Sequence, residues 1–512
     1  MALFTVVAIV ALVAGGLGLA VWMIRSTREK RSVAFFHPNC LSRGGGEFVL
    51  WAALATLARD DPSRTYVIYT GTAVHPSTAV NTIERAVRDF GLAADDPELA
   101  VRLAKCVRFV HVRACALVFR PYRCATLLLQ CAAGALAGLE ALWRYTPEVF
   151  IETTGGGCAF ALPVFRYIGG CTSTLAYVHY PTITSKMAAD VAAGDTAAVC
   201  NRRALTPAQT ARKLRYYRAV ARLYRFAGGA ARLAMANGSW TAGHLRELWP
   251  ATRITTVFPP CTSVSSDDVS GNVSDNVSDN VSVPAKDGDP LLIVSIGQYR
   301  PEKRHLFQVN VMSRLLLAHP EHMGRVRLVL IGSVRGPEDA ARRAEVERAA
   351  SLRGLVAMGA VEMPEDVNAA QKALYLRRAA VGLHCMADEH FGICVVEYMA
   401  AGAVPLAHDS AGPRLDIVVP ALRAADCRAL ADPAAGASAA GEAVGMLATT
   451  EEEYAECLHT LLSNAELREG LARRAMLRAR TFSVQNFEQN FRTCVTPFLT
   501  GEADLSSHPR HQ

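Results

Sequence analysis

Apolar runs of strand length, separated by helical stretches, restrict this chain more than any other feature. SVAFFHP, TYVIYTG, VRFVHV, EVFIETTG and STLAYVHY fall within residues 32–260. Strands that stay apolar instead of alternating with polar residues are covered on both faces, which is the pattern of a parallel sheet between helices. A second block of the same kind opens at LLIVSIGQYR (291–300) and continues through RVRLVLIGS, AAVGLHCMA and AVPLAHDS. GEAVGMLATT (441–450) reads as a short turn or strand before the last helices. Between the blocks, residues 263–290 are rich in Ser, Asp, Asn and Gly, repeat NVSD, and have little to bury. That segment is expected to be a disordered linker. The expected class is α/β: two Rossmann-like domains, 32–262 and 291–480, facing a cleft, then a helix over 481–499 and a polar tail at 500–512. Ligands of such sheets bind beyond the carboxyl ends of the strands.

The chain has 512 residues, 51% of them apolar, enough for two ordinary cores. A net charge of +7 suits anionic lipid or phosphate. The basic residues are scattered and form no nucleic-acid-binding motif. The 14 cysteines show no CxxC pair and no zinc spacing, so free thiols in a reducing compartment are expected. Residues 2–24 carry no charge, and Arg25, Arg28, Lys30 and Arg31 follow them. As a helix this run would reach roughly 35 Å, enough for a hydrocarbon core. With the basic flank on its carboxyl side, it is expected to be an uncleaved single-pass anchor that leaves the rest in the cytosol. The sequons at Asn272, Asn276 and Asn280 would then stay unmodified.

Four motifs bear on chemistry. In EHFGICVVE, Glu389 and Glu397 stand seven residues apart, and Phe391, Gly392 and Ile393 open an apolar helix whose free N–H groups suit an anion. Gly392 would admit a phosphate close to the backbone, Glu397 would reach ribose hydroxyls, and Glu389 would reach sugar hydroxyls. In SIGQYRPEKRH, Arg300 and Lys303 follow a strand, as a fork and a point charge fit for a diphosphate. In FHPNCLSRGGGEFVLW, Gly44, Gly45 and Gly46 precede an expected amphipathic helix and allow close approach to phosphate or sugar. In AYVHYPTITSKM, His179 ends a strand, where active-site residues collect. Each motif taken alone also fits a purely structural role. No D-x-D motif is present; Asp60-Asp61, Asp95-Asp96 and Asp267-Asp268 are adjacent pairs in polar contexts, so no metal is expected. Two further segments stay open. Residues 212–225 (RKLRYYRAVARLYR) suit lipid headgroups, an acceptor phosphate or an ordinary solvated face. Residues 124–143 suit a buried helix or a monotopic membrane contact.

FFHPNCLSRGGGE, VHYPT, NGSWT, FPPC, SIGQYRPEK, EHFGICVVEYMAAG and AHDSAGPRLDIV occur in this order. In these residues the chain resembles the GDP-mannose-dependent α-1,2-mannosyltransferases of asparagine-linked glycosylation, which are retaining GT-B glycosyltransferases. The resemblance runs from about residue 32 to 498. It implies the GT-B fold, GDP-mannose as donor and a dolichyl-diphosphate-linked trimannosyl oligosaccharide as acceptor. It further implies addition of the fourth and fifth mannoses at the cytosolic face of the endoplasmic reticulum membrane, with other glycosyltransferases of the pathway as possible partners. It assigns Glu397 to ribose, Glu389 and His179 to mannose, Arg300 and Lys303 to the diphosphate with the Phe391–Ile393 backbone, and Gly44–Gly46 to the donor phosphates. The final helix is expected to cross back to the first domain. The 263–290 insertion and Arg43 depart from the family pattern.

The resemblance also implies retention by front-face attack without a cofactor, the protein positioning reactants and stabilising the departing diphosphate. Two alternatives stay open. One is a GT-B transferase with another acceptor, such as an inositol lipid, or another donor, such as UDP-glucose. The other is an inactive homologue acting as a scaffold, against which the presence of Arg300, Lys303, Glu389 and Glu397 argues.

Overall fold

The apolar runs become strands because each side of each strand meets its own layer of side chains. In the second block, Ile293, Leu328 and Leu330 belong to one buried cluster. Their strand neighbours Leu292, Val294, Val329 and Ile331 belong to another. Successive side chains of a strand point to opposite faces, so two covered faces require an unbroken apolar run. A computed structural model describes residues 15–42, 44–94, 96–120, 122–194, 206–261, 289–430 and 440–502. Most of the expected linker, the sequons at Asn272, Asn276 and Asn280, Asp95, Asp267 and Asp268, Arg43, and the tail from 503 onward lie outside the described residues.

The chain divides into two units, Met1–Pro260 with Phe487–Gln512, and Cys261–Asn486. The first unit holds a seven-stranded sheet of order β3-β2-β1-β4-β5-β6-β7. Its strands are β1 (Glu29–Phe36), β2 (Thr65–Thr70), β3 (Val107–His111), β4 (Pro147–Glu152), β5 (Ser173–Val178), β6 (Leu233–Ala236) and β7 (Arg253–Thr256). All its pairings are parallel, with Ala34 facing Val67 on one side and Phe150 on the other. The second unit has the order β10-β9-β8-β11-β12-β14-β13. Its strands are β8 (Leu291–Ile296), β9 (Val326–Ile331), β10 (Val361–Glu362), β11 (Ala379–His384), β12 (Val404–His408), β13 (Leu422–Arg423) and β14 (Met446–Ala448), also all parallel. Two parallel Rossmann-like sheets are the GT-B architecture.

Helix α1 (Gly45–Asp60) corrects one expectation. It is not amphipathic: every residue from Phe48 to Ala58 is buried. Phe48 stacks on Phe90 and Trp51 leans on Phe109, so the helix is covered on more than one side. Among the described residues, α2 (Thr126–Arg144) is the one helix long and apolar enough to cross a membrane. One face packs within the unit, where a Cβ on Gly134 would stand 2.0 Å from the Gly157 carbonyl oxygen. Glu140 accepts from the Arg113 and Ala114 amides at 3.1 and 2.8 Å. The other face leaves Leu129, Leu136, Leu139 and Trp143 exposed. Helix α3 (Pro207–Gly229) is fixed at its start by a Thr206–Gln209 capping box and buries Tyr217, Val220 and Tyr224.

Residues 2–14 of the expected anchor lie outside the described residues; 15–26 are helical and expose Leu17, Leu19, Trp22 and Met23. Arg25 donates to the Tyr167 carbonyl at 2.6 Å and Arg28 to that of Gly170 at 2.5 Å, tying the end of this helix to the first unit.

Candidate functional site

The second unit gathers its charged groups at the carboxyl ends of β8 and β11. Beyond β8, a turn at Pro301–Lys303 and a left-handed Arg304 lead into α4 (His305–Ala318). The stem of Lys303 lies along Gly297, where a Cβ would come 3.2 Å from the lysine Cγ. Its carbonyl accepts from Gln308 at 2.9 Å. Lys303 Nζ is thereby aimed at Glu389, 2.6 Å from Oε2. His384, the last residue of β11, brings Nε2 to 3.2 Å from the same oxygen.

Three ionisable groups thus share one largely buried spot. Burial alone would raise the Glu389 pKa, but the His384 hydrogen bond and the Lys303 charge outweigh it and hold the carboxyl well below its usual range. Burial alone would lower His384, yet Cys394 and Glu389 beside it push the imidazole up to about 9. Lys303 is also raised: burial works against its charge and Glu389 more than compensates. At neutral pH the group is ammonium, carboxylate and imidazolium.

Glu389 leads directly into α6 (Ile393–Ala400), once α5 (Ala369–Arg378) has preceded β11. Gly392 caps α6 at φ 104°, in the left-handed region where a side chain is strained. Phe391 is buried against Phe482, with ring centroids 5.4 Å apart. The Gly412 amide donates to the Glu389 carbonyl at 2.9 Å. A Cβ on Gly412 would meet the Phe391 carbonyl oxygen at 2.4 Å, so the loop before α6 is seated on a residue without a side chain. Within α6, Glu397 pairs with Lys372 of α5 at 2.7 Å. Arg300 stands exposed in the β8 loop, and among the described residues its guanidinium has no hydrogen-bond or ion-pair partner. Lys303 and Glu389 are therefore brought together and Phe391, Gly392 and Ile393 form the entry to α6; Arg300 accepts from the Lys303 amide through its carbonyl at 3.1 Å, while its guanidinium contacts neither group.

The first unit has its own polar group. His37 follows β1, and its Nδ1 lies 2.8 Å from the Thr153 hydroxyl. Its Nε2 is 3.8 Å from Glu47 in the first turn of α1. Burial raises the Glu47 carboxyl, but the imidazoles of His37 and His179 outweigh it and leave it lowered. Gly44 caps α1. Gly46 faces both rings: a Cβ there would lie 3.5 Å from His179 Nε2 and 3.7 Å from His37 Cε1. Gly46 and His179, far apart in sequence, are thus neighbours. Glu152, which ends β4, is fully buried; burial lifts it to about 7 against donation from Thr154 and Gly155.

Comparison with known proteins follows the same division. Residues 30–249 match the family described as ALG11 mannosyltransferase N-terminus, and residues 277–476 match Glycosyl transferases group 1. A Mus musculus protein named GDP-Man:Man(3)GlcNAc(2)-PP-Dol alpha-1,2-mannosyltransferase is 36% identical over 93% of this chain and 89% of its own. The Homo sapiens protein of that name is 36% identical over 92% and 88%, and the Dictyostelium discoideum one 33% over 91% and 85%. The chain belongs to this mannosyltransferase family. It is a glycosyltransferase, and its fold agrees with distant solved structures. Sucrose-phosphate synthase from Thermosynechococcus elongatus superposes with a TM-score of 0.60 at 13% identity, covering 92% of this chain and 100% of the other. A trehalose-6-phosphate synthase from Burkholderia multivorans gives 0.61 at 10%, covering 94% and 100%.

Sequence reasoning missed His384, Lys372, His37, Glu47 and Glu152 as members of these groups. His384 and Glu152 end apolar strands, the same signal that singled out His179. His37 and Glu47 stand inside the glycine-loop motif itself. Lys372 gives no local signal, since its partner is 25 residues away on another helix.

Proposed function

We propose that this mannosyltransferase moves mannose from GDP-mannose, in α-1,2 linkage, onto a dolichyl-diphosphate-linked oligosaccharide that already carries three mannoses. The activity for which its relatives are named supports this reading. The observation that carries it is the Lys303–Glu389 contact of 2.6 Å beside the start of α6. A cation, an ionised acid and free helix N–H groups there share one small region.

In the proposed reaction the bond between the mannose anomeric carbon and the diphosphate breaks, and a bond to the acceptor 2-hydroxyl forms on the same face. A diphosphate oxygen takes the hydroxyl proton, and the anomeric configuration is retained. Lys303, Arg300 and the first amides of α6 bear on the diphosphate as its negative charge grows. Glu389, kept ionised and oriented by His384, accepts hydrogen bonds from mannose hydroxyls. Glu397 accepts from the ribose. The Gly44–Gly46 loop and His179 are assigned to phosphate and sugar contact. Cationic side chains and a helix terminus do the work that a metal does in other transferases, so the transfer itself takes no metal.

The finer assignment is that the fourth and fifth mannoses are added at the cytosolic face of the endoplasmic reticulum, with a single anchor before Arg25. Transfer of label from GDP-mannose to a synthetic trimannosyl diphospholipid, followed by linkage analysis, tests the reaction. Preference for UDP-glucose or an inositol lipid would overturn it. Glycan occupancy at Asn272, Asn276 or Asn280 would overturn the topology.

A further inference from the structure

Glu152 ends β4 with its side chain fully buried, and the proposed transfer gives it no direct part. Its Oε1 accepts from the Thr154 amide at 2.8 Å and from the Thr154 hydroxyl. Its Oε2 accepts from the Gly155 amide at 2.8 Å. Among the described residues no cation pairs with it. An acid buried without a counter-ion has to be hydrogen-bonded. Here all three bonds come from the two residues that follow Thr153, so the carboxylate closes the 153–155 turn around itself.

That turn is fastened on three sides. β4 lies between β1 and β5 in the sheet. On the β1 side, Thr153 Oγ1 donates to the Phe36 carbonyl at 2.9 Å and stands 2.8 Å from His37 Nδ1. The hydroxyl has one proton, and the Phe36 carbonyl takes it. The Thr153 oxygen therefore accepts from His37 Nδ1–H, which leaves Nε2 facing Glu47. From α3, the Tyr224 hydroxyl donates to the Gly155 carbonyl. On the β5 side, the Thr154 carbonyl accepts from the His179 amide at 3.3 Å. Gly155, at φ 81°, is pressed against the residue before that histidine: a Cβ there would come 2.3 Å from Val178 Cγ1. The turn thus braces the end of β5 from which His179 reaches Gly46.

We infer that Glu152 is a positioning residue for the transfer: by closing the 153–155 turn, its carboxylate sets His179 against Gly46 at the start of α1. This rests on the assignment, under the proposed function, of His179 and the glycine loop to sugar and phosphate. A carboxylate offers only acceptor oxygens, as three donors require; a glutamine in its place would turn an N–H group on one of them. Misplacing a group at the chemistry by about 1 Å costs on the order of 100-fold in rate, and a turn that keeps some of its bonds moves less.

The test uses the full chain in detergent, with GDP-mannose and the synthetic trimannosyl diphospholipid, at a temperature where circular dichroism shows every variant folded. Glu152→Gln is expected to lower kcat about tenfold and to change KM for GDP-mannose by less than about threefold. Thr154→Val, which removes only the hydroxyl bond, should lower kcat by roughly threefold, and it replaces Glu152→Gln should that variant not fold. In a His179→Ala background neither change should lower kcat further, because the ring being positioned is gone. A purely structural acid would cost the same in both backgrounds. Equal losses in the two backgrounds, or full turnover in Glu152→Gln and Thr154→Val beside a slow His179→Ala, would overturn the positioning role alone. Full turnover in His179→Ala would overturn the sugar assignment, and the positioning role with it.

Discussion

Lys303 Nζ and Glu389 Oε2 lie 2.6 Å apart, and each makes the other's charge more secure. In the proposed assignment the lysine would meet the diphosphate already oriented by Glu389. Lys303→Ala should cut turnover about 10²–10³-fold, the cost of removing one electrostatic donor to a developing charge. Arg300→Ala should act in the same direction, although the exposed guanidinium is less well held. Thermal unfolding of Arg300→Ala should match wild type within about 0.5 kcal/mol, as for other surface changes. Steady-state transfer assays beside melting curves check both expectations, and wild-type turnover in both variants would remove the assigned role.

His384 carries its proton to unusually high pH. Its pKa in the fold, about 9, stands above the ordinary imidazole value of 6.5. A group raised on folding adds stability that is fully present below its unfolded pKa and is lost as pH climbs through the folded one. The stability advantage of wild type over His384→Gln should therefore be greatest below about pH 6.5 and shrink as pH passes 9. Urea unfolding of both proteins at pH 6, 8 and 10 checks it. A difference independent of pH would mean that folding leaves the imidazole pKa unshifted, and a difference that grows with pH would mean that the imidazole is neutral in the fold.

Gly412 seats the loop that carries Glu389. A Cβ there would stand 2.4 Å from the Phe391 carbonyl oxygen and 2.7 Å from its Cα, and backbone atoms cannot swing aside as a side-chain tip can. Gly412→Ala should destabilise the protein by about 1–3 kcal/mol through overpacking. Because the displaced loop includes Glu389, turnover should fall at least tenfold where the protein is still folded. Gly243→Ala, inside the helix Ser239–Leu248 and with nothing within 4 Å of its Cβ, is the control and should neither destabilise the protein nor lower turnover.

The parts of this architecture written in contiguous residues could be read in advance. Each apolar run named from the sequence, from SVAFFHP to AVPLAHDS, contains a strand, and even GEAVGMLATT holds β14. The strands not anticipated are β6, β7, β10 and β13, of two to four residues each. Segments so short hold no period that separates them from helix ends or turns. The entry to α6 was legible because Gly392 has a conformational job that few residues can do. The depth of α1 was not, since its outer cover comes from Phe90 and Phe109, distant in sequence. The site divides in the same way. Lys303 and Glu389 stand out within their own motifs, but the imidazole that shares the carboxylate and the lysine that holds Glu397 are supplied by tertiary folding.

Lys372 and Glu397 offer the sharpest separation of binding from chemistry. Their 2.7 Å ion pair links α5 to α6 and holds the Glu397 carboxylate turned one way. In the proposed assignment Glu397 holds the ribose, which would stay bound through the whole reaction, so its contact would be equally strong in ground and transition states. Losing such a contact raises KM and leaves kcat nearly unchanged. A hydrogen bond to a charged group is worth about 1.5–3 kcal/mol, or roughly 10–100-fold in affinity. Glu397→Gln should therefore raise KM for GDP-mannose by that factor. Lys372→Ala should raise it less, because the carboxylate stays in place and loses only the partner that orients it. Saturation curves in GDP-mannose at fixed acceptor check the pair. A fall in kcat at unchanged KM would instead put Glu397 against the reacting sugar and move the ribose to other groups.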